Sequence, residues 1–193
     1  MKFRFNQWLR NFVIIDLGLL LLCACNWSMR SHKEDAISRL MGSEIRFERL
    51  LSFNLSEGMS LSSLLEKSNN SIVIYVDSSS CEDCSISYAL NIRGYEFELK
   101  QKHREDIQFI YIFNTQDIGA LQKRLHDFGF YRHYFVDFEN TFLSNNQIPK
   151  DKRFHTFLLK DKKVRIIGNP STNQKIRNLF DKVLKLPPAM HYR

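Results

Sequence analysis

The hydrophobic pattern is irregular up to about residue 70 and regular after it. Ile72-Val73-Ile74-Tyr75-Val76 is an unbroken β-branched and aromatic run, the composition of a strand covered on both faces. Asp77-Ser78-Ser79-Ser80 follows as a loop of helix-capping residue types. From Cys81 to Lys102 apolar residues recur on two sides of a helix. Ile86, Ala89, Leu90 and Phe97 mark one side, and Tyr88, Ile92, Tyr95 and Leu99 the other. That pattern predicts a long buried helix, with Gly94 as a point of bending. Ile107 to Phe113 reads as a second strand, Ile118, Leu121, Leu125 and Phe128 as a helix, and Tyr134-Phe135-Val136 as a short strand. Thr156 to Leu159 and Val164 to Ile167 flank a polar turn, which predicts a hairpin. Ile176, Leu179, Phe180, Val183 and Leu184 lie on one helix face, ended by Pro187-Pro188.

The stretch from 26 to 70 is polar, with weaker signals. Glu34 to Met41 predicts a short helix stopped by Gly42, Ile45 and Phe47 a short strand, and Ser60 to Lys67 another short helix. No internal repeat or low-complexity stretch is present.

The resulting order is β-α-β-α-β, then a β-hairpin and a final helix. Alternating strands and helices demand parallel strands joined by crossover helices, and the hairpin adds antiparallel ones. The fold class is therefore α/β: a central mixed sheet with flanking helices and a C-terminal hairpin plus helix. Ile72–Val76 and Ile107–Phe113 are expected as parallel neighbours.

The first 25 residues follow different rules. Lys2, Arg4 and Arg10 precede an apolar run interrupted by Asp16, and Cys23-Ala24-Cys25 follows. This is the order of a secretory signal peptide. The run is shorter than the ~20 apolar residues that span a bilayer. Leu22-Cys23-Ala24-Cys25 resembles the bacterial lipoprotein box. That resemblance implies cleavage after Ala24, acyl chains on Cys25, and a lipid-anchored protein of the cell envelope facing the periplasm or exterior. An uncleaved N-terminal anchor helix is the other reading. Both place the domain outside the cytoplasm.

Composition narrows the function classes. At 44% hydrophobic and 25% charged residues, the chain has globular proportions, and its 16 Phe and 7 Tyr can fill a sizeable core. The formal charge of +7 includes the leader, whose removal leaves about +5. The basic residues are interspersed with acids, and Lys160-Asp161-Lys162-Lys163 reads as a solvated turn. No basic face with aromatic or groove-reading elements can be placed, which argues against a nucleic-acid partner.

Four Cys form two close pairs, Cys23 with Cys25 and Cys81 with Cys84. Only the second belongs to the folded part, and one close pair is too little for a disulfide-stapled scaffold. Cys81-Glu82-Asp83-Cys84 lies between a strand and its helix, which is the thioredoxin layout. Free N–H groups at a helix start stabilise a thiolate there. Cys81 is the expected nucleophile, and Cys84, one turn on, the residue that resolves a mixed disulfide. Glu82 and Asp83 place negative charge beside that thiolate and raise its pKa, which favours a reducing or isomerising pair over an oxidising one. A static disulfide and a half zinc site are the competing readings. Tyr75 and Asp77 precede the dithiol; Asp77 either relays protons or ends the strand and starts the turn. His32, His103, His126, His133 and His191 have no ligand spacing with one another.

Two segments, Ile72 through Cys84 and Ile148-Pro149 through Val164 on to Gly168-Asn169-Pro170, resemble a group of thioredoxin-like lipoproteins of Gram-negative anaerobes. The wider relatives are membrane-tethered thiol–disulfide oxidoreductases. The resemblance covers about residues 70–185 and implies exchange of thiols and disulfides on exported proteins, with no cofactor. Those relatives carry a proline before the Thr-Phe-Leu strand, where this chain has Phe154, followed by His155. The match implies Phe154 and His155 as substrate-contacting residues. It also leaves His155 near the thiols, where a Cys-Cys-His set suits soft or borderline metals. The bland reading of His155 is a strand residue on a sheet edge. The expected division is a leader over 1–24, a tether and extension over 25–70, a thioredoxin-like domain over 71–187 and a tail over 188–193. The alternative function is a non-catalytic thioredoxin-fold binding lipoprotein with a structural Cys81–Cys84 bond.

Overall fold

The computed structural model describes residues 34–54, 60–77, 82–102 and 106–185, with the backbone alone described for 82–85. Residues 34–40 are helical, and the chain leaves them through a turn at Gly42. Gly42 has φ +80°, a left-handed conformation that glycine adopts without steric cost.

From Leu40 onward the described chain forms one unit built on a six-stranded sheet. The elements in chain order are β1 (Leu51–Phe53), α1 (Leu61–Lys67), β2 (Asn70–Asp77), α2 (Glu82–Gln101) and β3 (Ile107–Asn114). Then come α3 (Ile118–Asp127), β4 (Tyr134–Val136), α4 (Phe142–Asn145), a 3-10 turn (Lys152–Phe154), β5 (Thr156–Lys160), β6 (Lys163–Ile167) and α5 (Gln174–Val183). The strand order is β1-β4-β3-β2-β5-β6. β2 pairs parallel with β3 along its whole length, from Asn70 opposite Ile107 to Asp77 opposite Asn114. β5 and β6 form the antiparallel hairpin, and β5 also pairs antiparallel with β2.

β2 lies at the centre of the sheet because its side chains can be buried on both faces. Ile72, Ile74 and Val76 point to one core, and Val73 and Tyr75 to the other. Each fully buried aliphatic side chain of this kind contributes about 1.5–3 kcal/mol. The first core holds Ile86, Ala89, Ile92, Tyr95 and Leu99 of α2, Leu121 and Leu125 of α3 and Phe180 of α5. The second is closed by shorter pieces: Leu40, Ile45, Leu64, Phe142, Leu143, Ile148 and Phe154. In the hairpin, Leu158 faces Ile166 while Leu159 faces Val164, so Arg165 is an extra residue. That bulge sends Val164 and Ile166 to opposite cores.

Three expectations change. The folded unit begins well before residue 71. Leu40 and Ile45 are core residues, β1 extends the sheet beside β4, and Glu44 bridges to Lys163 at the opposite edge. Scattered apolar residues in a polar stretch gave too little periodicity to reveal this packing. The strand expected around Ile45 and Phe47 falls instead at Leu51–Phe53. In α2 the buried stripe is Ile86-Ala89-Ile92-Tyr95-Leu99, while Phe97 is 62% exposed. The helix lies on one face of the sheet and has one apolar side against it, so Ile86 and Ala89 of the first set join Ile92, Tyr95 and Leu99 of the second, and Phe97 is left outside.

Candidate functional site

The C-terminal end of β2 leads toward Cys81, and α2 returns from it, beginning at Glu82. Cys25, Cys81 and the Ser78-Ser79-Ser80 loop lie outside the described residues, as does the side chain of Cys84. The described surroundings are the end of β2, the start of β5 and the loop after β6.

The start of β5 is held against both β2 and α2. Thr156 pairs with Ile74, and the Tyr75 N–H donates to the His155 carbonyl at 2.8 Å. The Thr156 hydroxyl lies 2.6 Å from the hydroxyl of Tyr88, one turn beyond Cys84 in α2. Tyr88 also interacts with the Asn169 side chain. Burial raises the Tyr88 pKa, and the hydrogen bonds from Thr156 and Asn169 oppose that rise. The Gly168 N–H donates to the Thr156 carbonyl at 2.7 Å, which ties the loop after β6 to the same point. The sequence showed Gly168-Asn169-Pro170 as a motif but carried no sign that it closes on Tyr88 and Thr156.

Phe154 ends the 3-10 turn and is 7% exposed, packed in the second core. His155 is not a strand residue on a sheet edge. It caps the 3-10 turn with φ −86° and ψ 0°, and β5 lies inside the sheet between β2 and β6. A residue that stops a turn and starts an interior strand is enclosed by both, and its side chain is 1% exposed. Its ring meets Tyr75 edge-on, with centroids 5.3 Å apart, and its Nε2 is 3.1 Å from the Pro149 carbonyl oxygen. Burial lowers the His155 pKa, opposed by the Pro149 hydrogen bond and by Asp77, with Lys152 lowering it further and Asp151 raising it.

Tyr75 connects this point to a buried carboxylate. Its hydroxyl donates to Asp137 Oδ2 at 3.2 Å. Asp137 also accepts the backbone N–H groups of Thr141 at 2.9 Å and Phe142 at 3.0 Å, which fixes the start of α4. Burial and the Asp137 carboxylate both push the Tyr75 pKa far above its ordinary value, so the phenol remains protonated. Sequence reading singled out Tyr75 for its position alone; its partner is 62 residues away.

No family model matches the chain, and no curated protein matches it. Solved structures do. A thioredoxin-like protein in its oxidised form aligns at a TM-score of 0.51 and 12% identity, covering 77% of this chain and 99% of that one. A Chlorobium tepidum protein assigned as a thiol:disulfide interchange protein DsbE aligns at 0.52 and 14% identity, covering 75% and 96%. The fold is thioredoxin-like. In this thioredoxin-like fold Tyr75 of β2 and Tyr88 of α2 both hold the His155-Thr156 entry into β5. Among the described residues no three His, Cys, Asp or Glu side chains are grouped to hold a metal ion. Among them, too, no helix is long and apolar enough to cross a membrane. A separate concavity of about 750 Å³ lies among Ile45, Phe47, Leu50, Leu61 and Leu65, and no residue expected at the dithiol site lines it.

Proposed function

We propose that the chain is a membrane-anchored thiol–disulfide oxidoreductase that acts on exported proteins through Cys81 and Cys84. The observation that carries this reading is a Cys-x-x-Cys at the β2–α2 junction of a thioredoxin-like fold. In the reaction the Cys81 thiolate attacks one sulfur of a protein disulfide and displaces the other, giving a mixed disulfide. The Cys84 thiolate then attacks Cys81 Sγ, forms the Cys81–Cys84 bond and releases the second substrate thiol. The substrate gains two electrons and two protons, which the dithiol gives up; an isomerase returns them by the reverse steps. Glu82 and Asp83 restrain the thiolate, which suits reduction or isomerisation. Phe154 and His155, at the entry to β5, are the proposed substrate-contacting residues. The lipobox-like Leu22-Cys23-Ala24-Cys25 supports an acyl anchor on Cys25.

The test is reduction of insulin-type disulfides by the full chain. Cys81→Ser should abolish it, and Cys84→Ala should trap a mixed disulfide with envelope proteins. Activity that survives Cys81→Ser, or thiols inaccessible to alkylation without denaturant, would leave the binding-module alternative. Cys25→Ala should abolish acylation and membrane retention; unchanged fractionation would point to an uncleaved helix.

A further inference from the structure

The strand register gives the folded unit two distinct ends. At one end Asn70 of β2 lies beside Ile107, where β3 begins, and beside Lys160, where β5 finishes; Lys160 in turn pairs with Lys163, the start of β6. α2 and α3 both finish toward this end, because each crosses back between parallel strands. The chain enters the unit here too. The Gly42 N–H donates to the Val164 carbonyl at 2.8 Å, and Glu44 bridges to Lys163. β2 finishes and α2 begins at the other end, and α2, 20 residues and so about 30 Å long, separates the two.

Cations outnumber acids at the end where the chain enters. Lys67 closes α1, and Lys160, Lys162 and Lys163 surround the hairpin turn. Lys100 and Lys102 stand at the end of α2, Arg124 is in the last turn of α3, and Arg132 follows it. The acids are Glu44, Glu66, Asp106, Asp127 and Asp161, with Glu96 buried and already held by Lys100 and Arg132. Lys162 stands against backbone preference. Asp161 has φ 53° and Lys162 φ 62°, the left-handed pair of a two-residue hairpin turn, where asparagine followed by glycine is least strained. The turn thus keeps a charge at its tip in place of the glycine that fits it best. Apolar side chains share this end: Tyr131 is 71% exposed, and Phe97, Phe128 and Met41 are exposed as well. Arg93 joins the helix of Phe97 to the loop of Phe128 and Tyr131, donating to the Gly129 carbonyl at 3.0 Å.

We infer that this end of the unit rests on an anionic lipid bilayer, an inference that rests on the envelope location proposed above but needs no acyl chain. Single aromatic rings set among long cationic side chains suit the headgroup layer, where the rings enter and the ammonium groups meet lipid phosphates. A peptide-binding surface would gather its apolar side chains into a groove. The β2–α2 junction is then held away from the lipid, toward exported proteins.

The experiment places a tryptophan at each end of the full chain. Tyr131→Trp reports the proposed contact, and Phe138→Trp, exposed just after β4 at the other end, is the control. Each is reconstituted with phosphatidylcholine vesicles with and without phosphatidylglycerol, in lipids brominated on their acyl chains, and the signal of the parent chain's Trp8 and Trp27 is subtracted. Tyr131→Trp fluorescence should shift to the blue and be quenched in the phosphatidylglycerol vesicles, and Phe138→Trp should not. High salt, or Lys162→Glu with Lys163→Glu, should remove most of that quenching. Equal quenching at the two positions, or quenching at Tyr131→Trp that ignores both phosphatidylglycerol and salt, overturns the inference. So does a blue shift with polyglutamate and none with the vesicles, which would mean an acidic protein partner. No quenching at Tyr131→Trp in a chain that stays on the vesicles overturns the inference and leaves the anchor standing. A parent chain that leaves the vesicles in high salt, with Tyr131→Trp quenched in low salt, overturns the anchor and supports the inference.

Discussion

The sheet face covered by α2, α3 and α5 buries its carboxylates beside cations, whereas the opposite face buries Asp137 against backbone donors and His155 against one carbonyl. On the helical face Glu96 is 4% exposed, yet it meets Lys100 at 3.0 Å, Arg132 at 3.1 Å and the Tyr111 hydroxyl at 3.1 Å. Asp181 accepts from Tyr95 at 2.9 Å, and the Arg177 guanidinium lies 5.1 Å above the Tyr95 ring. Lys100 and Arg177 come from the long helices α2 and α5, and Arg132 from the loop before β4. The other face is closed by the short helix α1, a 3-10 turn, a four-residue helix and irregular chain, which offer backbone N–H groups instead. The difference teaches that cover made of loops positions single polar atoms with few alternatives, and one of them, His155 Nδ1, remains unpaired. A site built from such pieces is more readily specialised than one locked in an ion-pair network.

Four measurements would break or sharpen this contrast. The largest effect is expected where both faces depend on one strand. Phe157 is fully buried in β5, and Phe157→Ala should cost about 3–5 kcal/mol in urea unfolding. A loss under about 1 kcal/mol would mean that the loop-covered face is not a packed core.

Next comes Asp137→Ala, which strips the Tyr75 hydroxyl and two backbone donors of their acceptor. About 3 kcal/mol of destabilisation is expected. Amide exchange at Thr141 and Phe142 should rise with it. Unchanged protection there would show that the carboxylate does not organise α4.

Glu96→Gln should cost less, about 1 kcal/mol. The amide still accepts from Tyr111, and Lys100 and Arg132 are exposed enough for water to solvate them. A larger loss than that of Asp137→Ala would reverse the contrast between the faces.

The smallest expected effect is a pH dependence. Burial holds His155 and His133 below the ordinary histidine range; at His133, Glu96 opposes it and Arg132 adds to it. The unfolded chain takes up these protons near pH 6.5 while the folded chain does not. Their contribution to stability is complete above that pH and declines as pH falls below it. Urea midpoints at pH 7.5 and 5.5 should show the decline, and His155→Gln should remove its share. An equal decline in the variant would assign the effect to other groups.

Much of the helical face was legible in advance. The unbroken run Ile72–Val76, the matching run Ile107–Phe113 and the hairpin positions have periods that admit one local structure each, and all were found in place. The dithiol was legible as a motif because its chemistry depends on spacing. The loop-covered face was not. Leu40, Ile45 and Leu64 are isolated apolar residues in polar surroundings, and nothing local shows that they share a core with Tyr75 and Phe157.

By itself the sequence determined the strand and helix order, the mixed parallel and antiparallel sheet, and the position of Cys81 and Cys84 at a strand–helix junction. These follow from periodicity and spacing, which are properties of neighbours along the chain. Only the tertiary structure decided that β1 joins the sheet, that Asp137 meets Tyr75, and that Tyr88 closes on Thr156. It alone decided that His155 is buried with one nitrogen satisfied and the other bare. Those contacts join residues six to more than eighty positions apart. They depend on which surfaces the sheet brings together, and no local pattern of polarity encodes that.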